Sequence, residues 1–114
     1  MNGCPFCSIV AGEAPAGVLY RDDRVVAFKD TNPQAPEHFL VVTARHIPSL
    51  AEVESGDEEL LGHALVVARK VAQELGILER GFRLVANCRR QGGQTVPHLH
   101  LHVMGGRQMT WPPG

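Results

Sequence analysis

The run His98-Leu99-His100-Leu101-His102 alternates imidazole with aliphatic side chains without a break. Alternate residues share one face of a strand, whereas a helix would scatter them around its axis. The run predicts a strand over Val96 to Met104. His98, His100 and His102 point one way, and Pro97, Leu99, Leu101 and Val103 point into a core. The chain has six histidines, and three of them share this surface. A solvated edge strand would instead mix Thr, Lys, Glu and Ser.

Two kinds of chemistry fit such a row. Neutral imidazole is a common metal ligand. Residues two apart on a strand are ~6.7 Å apart, so the outer pair is separated by ~13 Å. Zinc holds each nitrogen at ~2.0–2.1 Å. Neighbours could share an ion, but all three on one ion would be hard to arrange. A catalytic reading uses the spacing better. The middle histidine, His100, attacks, while its neighbours set its tautomer, bond to phosphate oxygens and move protons. Just upstream, Gln91-Gly92-Gly93-Gln94-Thr95 has the glycines that let backbone N–H groups turn inward on an anion.

The rest of the chain supplies a frame for that strand. Val18–Tyr20, Val25–Phe28, His38–Thr43 and Phe82–Cys88 read as further strands. A helical turn over Ser8–Gly12 precedes them, and Asp30 to Pro33 forms a loop. Ser49 with Glu52 reads as a capping box opening a short helix, and Ser55 with Glu58 as a second. The second opens a long helix from Asp57 to Leu75, with Leu61, Ala64, Leu65, Ala68, Val71, Ala72 and Leu75 at helical spacing and Gly76 as its stop. His63 falls on its surface. Five strands with one long and one short helix make an antiparallel α+β domain spanning residues 1–114.

Composition narrows the partners. A formal charge of −1 provides no field to draw in DNA or RNA. No apolar run reaches the ~18 residues of a membrane span. Met1-Asn2-Gly3-Cys4 lacks the basic and apolar stretches of a leader. Three cysteines, an odd count, argue against a disulfide scaffold and for reduced thiols in the cytoplasm. Cys4 and Cys7 have the spacing of half a zinc site, and they do not follow a strand as a thioredoxin-like pair would. Two packed, reduced thiols would also account for them. His46, after the third strand, is the natural third ligand.

At these residues the chain resembles the histidine triad superfamily, whose signature matches His98 to Met104. More narrowly it resembles the Hint branch, the nucleoside phosphoramidate hydrolases. Matching stretches are Phe28-Lys29-Asp30, Asn32 to Pro36, His38 to Val42, Gly92-Gly93-Gln94, Gly105 to Met109 and Trp111-Pro112-Pro113-Gly114.

The resemblance implies a homodimer with one sheet continued across both subunits. It implies a purine nucleoside monophosphate substrate joined to a leaving group, often an amine. His100 would form a nucleotidyl-histidine intermediate that water hydrolyses, flanked by His98 and His102. His38 would complete a proton relay. Asp30 matches the acid that holds the ribose, and Asn87, Gly93, Gln94 and Thr95 match phosphate-binding positions. Phe6, Ile9 and Phe28 match the slot for the base, and the Trp111 tail reaches the partner subunit's site. Several bacterial relatives bind zinc through residues matching Cys4, Cys7, His46 and His98.

Two departures stand out. Thr95 replaces a common serine and adds a methyl group beside the leaving group. Arg89 and Arg90 add charge to a loop that is more neutral or acidic in relatives. The competing functions are a dinucleoside polyphosphate hydrolase, a nucleotide-binding regulatory or scaffold protein, and a zinc-dependent structural protein.

Overall fold

The computed structural model describes residues 3–114. Met1 and Asn2, part of the stretch read for a leader, lie outside them. The elements are α1 (Pro5–Val10), β1 (Val18–Arg21), β2 (Val25–Lys29), β3 (Glu37–Thr43), α2 (Glu58–Glu74), β4 (Phe82–Val85) and β5 (His100–Gly105). Two 3₁₀ turns, Leu50–Glu52 and Ser55–Asp57, lead into α2. The five strands form one antiparallel sheet in the order β1-β2-β3-β5-β4. The expected α+β architecture with a five-stranded antiparallel sheet is the one observed. No helix among the described residues is long and apolar enough to cross a membrane.

The pleat sorts side chains onto two covered faces. Val25, Ala27, Phe39, Val41 and Val103 pack against Ala64, Val67, Ala68, Val71 and Ala72 of α2. Three of those helix residues are alanines four apart, which lets the helix backbone come close to the sheet. Val26, Phe28, Leu40 and Val42 face the other way, against Cys4 and Phe6 of the α1 region. His100 lies opposite Val42, and His102 opposite Leu40. Both histidines therefore fall on the α1 face, away from the long helix.

Several boundaries differ from the sequence reading. β5 begins at His100 instead of Val96. Pro97 has no N–H for a ladder and is exposed instead of buried, and the His98 N–H turns back to the Val96 carbonyl at 2.8 Å. His98 therefore sits in the approach to the strand. β4 stops at Val85, short of Cys88, because the chain then enters a tight loop in which Arg89 has φ +58°. The first helical turn runs over Pro5–Val10, not Ser8–Gly12. Pro5 at its first position and the Cys4 cap open it, and Gly12 closes it at φ +75°.

The helix signals shift as well. The Glu54 N–H donates to Asp57 Oδ2 at 2.9 Å, so the box lies upstream of Ser55–Glu58. The short element at Ser49 is a single 3₁₀ turn, capped by the Ser49 hydroxyl accepting from the Ala51 N–H at 3.1 Å. On α2, Val67 is buried and Leu65 is 50% exposed, so the apolar stripe is narrower than the spacing suggested. His63 is half-buried, with Nε2 2.6 Å from Asp22 Oδ2, and it ties α2 to the β1–β2 turn.

Gly105 closes β5 beneath Ile77. A Cβ there would lie 2.8 Å from Ile77 Cδ1 and 2.9 Å from its Cβ. Gly105→Ala is expected to destabilise the fold by ~1–3 kcal/mol, the scale of overpacking. Ile77→Val in the same chain should recover part of that loss. Urea unfolding of the three proteins checks both expectations.

Candidate active site

His38, His98 and His100 each have one ring nitrogen fixed by the main chain. A carbonyl can only accept, and a backbone N–H can only donate. These contacts place the protons of those three rings, and His102 follows from His38.

His100 Nδ1 lies 2.6 Å from the His98 carbonyl oxygen, so Nδ1 carries the proton and donates. Neutral His100 then bears its lone pair on Nε2. The Gln34 N–H donates to His38 Nδ1 at 3.0 Å, so the His38 proton sits on Nε2. That proton faces His102 Nδ1 at 2.9 Å, with Asp30 Oδ2 3.3 Å from the same nitrogen. His102 accepts at Nδ1 and so keeps its own proton on Nε2. Across the row, a nucleophilic lone pair at His100 stands beside an N–H donor at His102.

His98 differs from the other two. Its Nε2 lies 2.7 Å from the Thr43 carbonyl and donates to it. Nδ1 is left unprotonated and is 3.3 Å from Cys4 Sγ and 3.6 Å from Cys7 Sγ. His46 Nδ1 lies 3.2 Å from Cys7 Sγ. Ligand atoms of Cys4, Cys7, His46 and His98 all lie within 4.8 Å of one another. Zinc bonds of ~2.3 Å to sulfur and ~2.0–2.1 Å to nitrogen, at a tetrahedral angle, separate S from N by about 3.5 Å. The donor set, the spacing and the His98 tautomer all fit a metal ion. A backbone carbonyl on the far ring nitrogen is the usual outer support of a ligating histidine.

Asp30, His38 and His102 form a second compact group. Here the Gln34 N–H argues against an ion. Metal on His38 Nε2 would leave both ring nitrogens without a proton. The trio is instead joined as a hydrogen-bonded chain.

Burial sets the electrostatics. It pushes His38, His98 and His102 below the usual imidazole range. His102 falls to about 4, with the neighbouring His100 and His38 adding to the effect of burial and Asp30 opposing it. Burial, followed by the neighbouring Cys4, raises the Cys7 thiol.

A cavity of about 330 Å³ opens over this row. Phe6, Ile9 and Phe28 form an apolar wall, extended by Leu40 and Val96, and the polar lining residues are Lys29, Asp30, Thr31, Thr95, His100 and His102. The Phe6 ring stands edge-on to His100 at 5.0 Å and to Phe28 at 5.5 Å. His38 lies behind His102, outside the cavity lining.

The remaining sequence candidates lie elsewhere. Gln94 spends its amide within its own loop. Its Nε2 donates to the Pro48 and Val96 carbonyls at 2.7 and 3.0 Å, and its Oε1 accepts from the Arg89 N–H at 2.8 Å. Asn87 donates to the Gly92 carbonyl at 2.6 Å. Gly93 and Gln94 border a neighbouring cavity, which meets the first at Thr95. Trp111 is 82% exposed. The main-chain groups of Gln34, Thr43 and His98 leave no residue-type signal, and sequence reasoning missed their roles.

Residues 11–109 match the family model described as HIT domain. The chain belongs to the HIT domain family. This HIT domain is 50% identical over 109 residues to a HIT-like protein of Synechocystis sp., covering 96% of this chain and 95% of that protein. A HIT family hydrolase from Legionella pneumophila is similar at TM-score 0.96 and 50% identity, covering 98% of this chain and 100% of that one. A histidine triad nucleotide-binding protein from Candida albicans is similar at TM-score 0.81 and 27% identity, covering 96% and 83%.

The His102 shift has a consequence for stability. An unfolded imidazole titrates near 6.5, and the folded one near 4. Between those values the unfolded chain binds more protons, so stability is lost as pH falls through that window. The His102 contribution is up to ~3 kcal/mol. Urea unfolding of metal-stripped protein from pH 7.5 to 4.5 should show the loss, and His102→Gln should reduce the slope.

Proposed function

We propose that this single-domain chain hydrolyses purine nucleoside phosphoramidates and acyl-nucleotides, as the Hint branch does, through a nucleotidyl intermediate on His100. The observation that carries this reading is the His98 carbonyl on His100 Nδ1 at 2.6 Å. In the neutral ring it leaves the lone pair on Nε2, free to attack phosphorus. The apolar wall of Phe6, Ile9 and Phe28 suits a purine ring, and Asp30 at the same cavity suits ribose hydroxyls. The similarity to a HIT family hydrolase and to a histidine triad nucleotide-binding protein supports the same direction.

The chemistry proceeds in two steps. His100 Nε2 bonds to phosphorus as the phosphorus–nitrogen bond to the leaving group breaks. The departing nitrogen keeps the bonding pair and takes up a proton. Water then displaces His100 and gives a proton back. The His102 N–H bonds to the phosphoryl oxygen, where charge accumulates. His38 and Asp30 extend the proton path behind it. The Thr95 hydroxyl, at the rim of the cavity holding His100, faces the phosphate. Gln94 and Asn87 act by bracing that loop.

The second subunit enters the same reading. β4 is an edge strand, Leu65 and Val66 on α2 are exposed, and Trp111 has little cover. A homodimer that continues the sheet would cover these features and bring each tail to its partner's cavity.

His100→Ala should lower kcat/KM for an adenosine phosphoramidate by more than about 10⁴-fold, the scale of losing a nucleophile. Rapid acid quench and mass spectrometry of the unmutated protein should find the nucleotide on the peptide holding His100. Turnover that survives the substitution would overturn the assignment.

Zinc at Cys4, Cys7, His46 and His98 would be structural, fixing α1 to the approach to β5. Purified protein should carry stoichiometric zinc by elemental analysis, and Cys4→Ser should lose it together with thermal stability. Zinc should also dissociate as pH falls, because thiols and imidazoles must shed protons to bind it.

A further inference from the structure

The cavity beyond Thr95 has a charge that the reaction scheme above does not use. It measures about 540 Å³, and Pro48, Glu52, Arg89, Arg90 and Gln94 are among its lining residues. Thr95 borders both this cavity and the one holding His100. A nucleotide placed with its base against Phe6 and Phe28 and its phosphorus at His100 would point its leaving group toward Thr95, the lining residue that the two cavities share.

The loop presenting the two arginines is tightly built. Gly93 and Gln94 N–H groups donate to the Arg90 and Arg89 carbonyls, both at 3.0 Å. Gly92 is pressed onto Cys88, whose carbonyl oxygen would lie 2.4 Å from an added Cβ. Gln94 holds the Arg89 N–H while that residue keeps φ +58°. The backbone beneath both arginines is therefore held from several sides.

Their charges are not equally free. Arg89 Nη2 lies 2.8 Å from Glu52 Oε1, and the other Glu52 oxygen accepts from the Ser49 hydroxyl. Arg90 is exposed and has no acidic partner among the described residues. Two arginines against one glutamate leave the cavity with a single excess positive charge.

We infer that this cavity is a leaving-group subsite selecting an anionic group, and that its preferred substrate is a nucleoside phosphoramidate whose amine carries a carboxylate. The inference rests on the proposed hydrolase reading. Arg90 meets the carboxylate directly, while Arg89, held by Glu52, shapes the wall. The Thr95 methyl narrows the passage, which suits a slim amino acid better than a bulky amine.

The test compares adenosine phosphoramidates of glycine and of glycinamide, which differ only in the carboxylate. Diadenosine triphosphate supplies a phosphate as the anion instead. The full chain should turn over the glycine compound with a kcat/KM roughly 3- to 5-fold above the glycinamide compound, the scale of an exposed ion pair. That ratio should approach unity at ~0.5 M salt through screening. Arg90→Gln should abolish the ratio, and Arg90→Lys should restore most of it. A ratio at or below unity, or one untouched by Arg90→Gln, overturns the subsite. A preference for diadenosine triphosphate with the same Arg90 dependence overturns the carboxylate in favour of a phosphate.

Calorimetric binding of the two amine compounds to His100→Ala separates recognition from chemistry. Carboxylate preference there, without turnover by the unmutated chain, upholds the subsite and removes the hydrolase reading. Equal binding removes the subsite whatever the turnover.

Discussion

The imidazole of His98 is fully buried and gripped at both ring nitrogens. Thr43 accepts from one side, and the Cys4 and Cys7 sulfurs approach the other. Its own carbonyl then accepts from His100. A buried imidazole without partners would carry a desolvation cost of several kcal/mol, so this ring tolerates little displacement. Three segments converge on it: the cap of α1, the end of β3 and the approach to β5. The orientation of His100 is thereby inherited from a residue whose ring faces the Cys4, Cys7 and His46 group. The two ends of His98, its ring and its carbonyl, join that group to the row of histidines on β5.

The same logic extends along the row. Gln34, Thr43 and His98 set three tautomers with main-chain groups. Main-chain groups cannot change rotamer, so these proton positions depend on strand register. The β3–β5 pairing places Val42 beside His100 and Leu40 beside His102. A slip of one residue would turn both histidines toward α2 and into the aliphatic layer. The small residues Ala64, Ala68 and Ala72 protect that register indirectly. They let α2 lie close to the sheet, where Phe39, Val41 and Val103 lock against it.

This division explains what could be read in the sequence. Val25–Phe28 and His38–Thr43 are apolar runs because both faces of the sheet are covered there, and only His98–His102 alternates, so the strands and the face carrying the histidines were visible together. The Cys4-x-x-Cys7 spacing was visible because metal ligation restricts residue type. Pro97 carried a legible signal against a strand, but the His-x-His repeat outweighed it and extended β5 too far. The true box at Glu54–Asp57 was hidden because Ser55 and Glu58, one residue on, match the usual residue types better. Leu65 entered the helix stripe because spacing alone cannot tell the edge of a buried face from its centre. Main-chain roles at Gln34 and Thr43 were invisible, since any residue supplies the same N–H and carbonyl. His63 looked like a surface residue until the β1–β2 turn brought Asp22 to it.

Gln94 was singled out in the sequence as a phosphate-binding position, and the structure shows where its side chain bonds. Its type and position suggest a side chain reaching for phosphate. Its oxygen and nitrogen instead bond to Arg89, Pro48 and Val96. An amide that donates both N–H groups to carbonyls and accepts from a third main-chain partner cannot also donate to a ligand without releasing one of them. Each release would leave a polar group short of a partner, at ~1–3 kcal/mol where that group is buried. The arrangement favours rigidity of the loop over direct contact. The Gly93 and Gln94 N–H groups are likewise spent on the Arg90 and Arg89 carbonyls, so these polar groups hold the loop itself. In the proposed reaction the Thr95 hydroxyl is the donor this loop brings to the cavity beside His100, and a donor held in place acts on developing charge without first being reoriented.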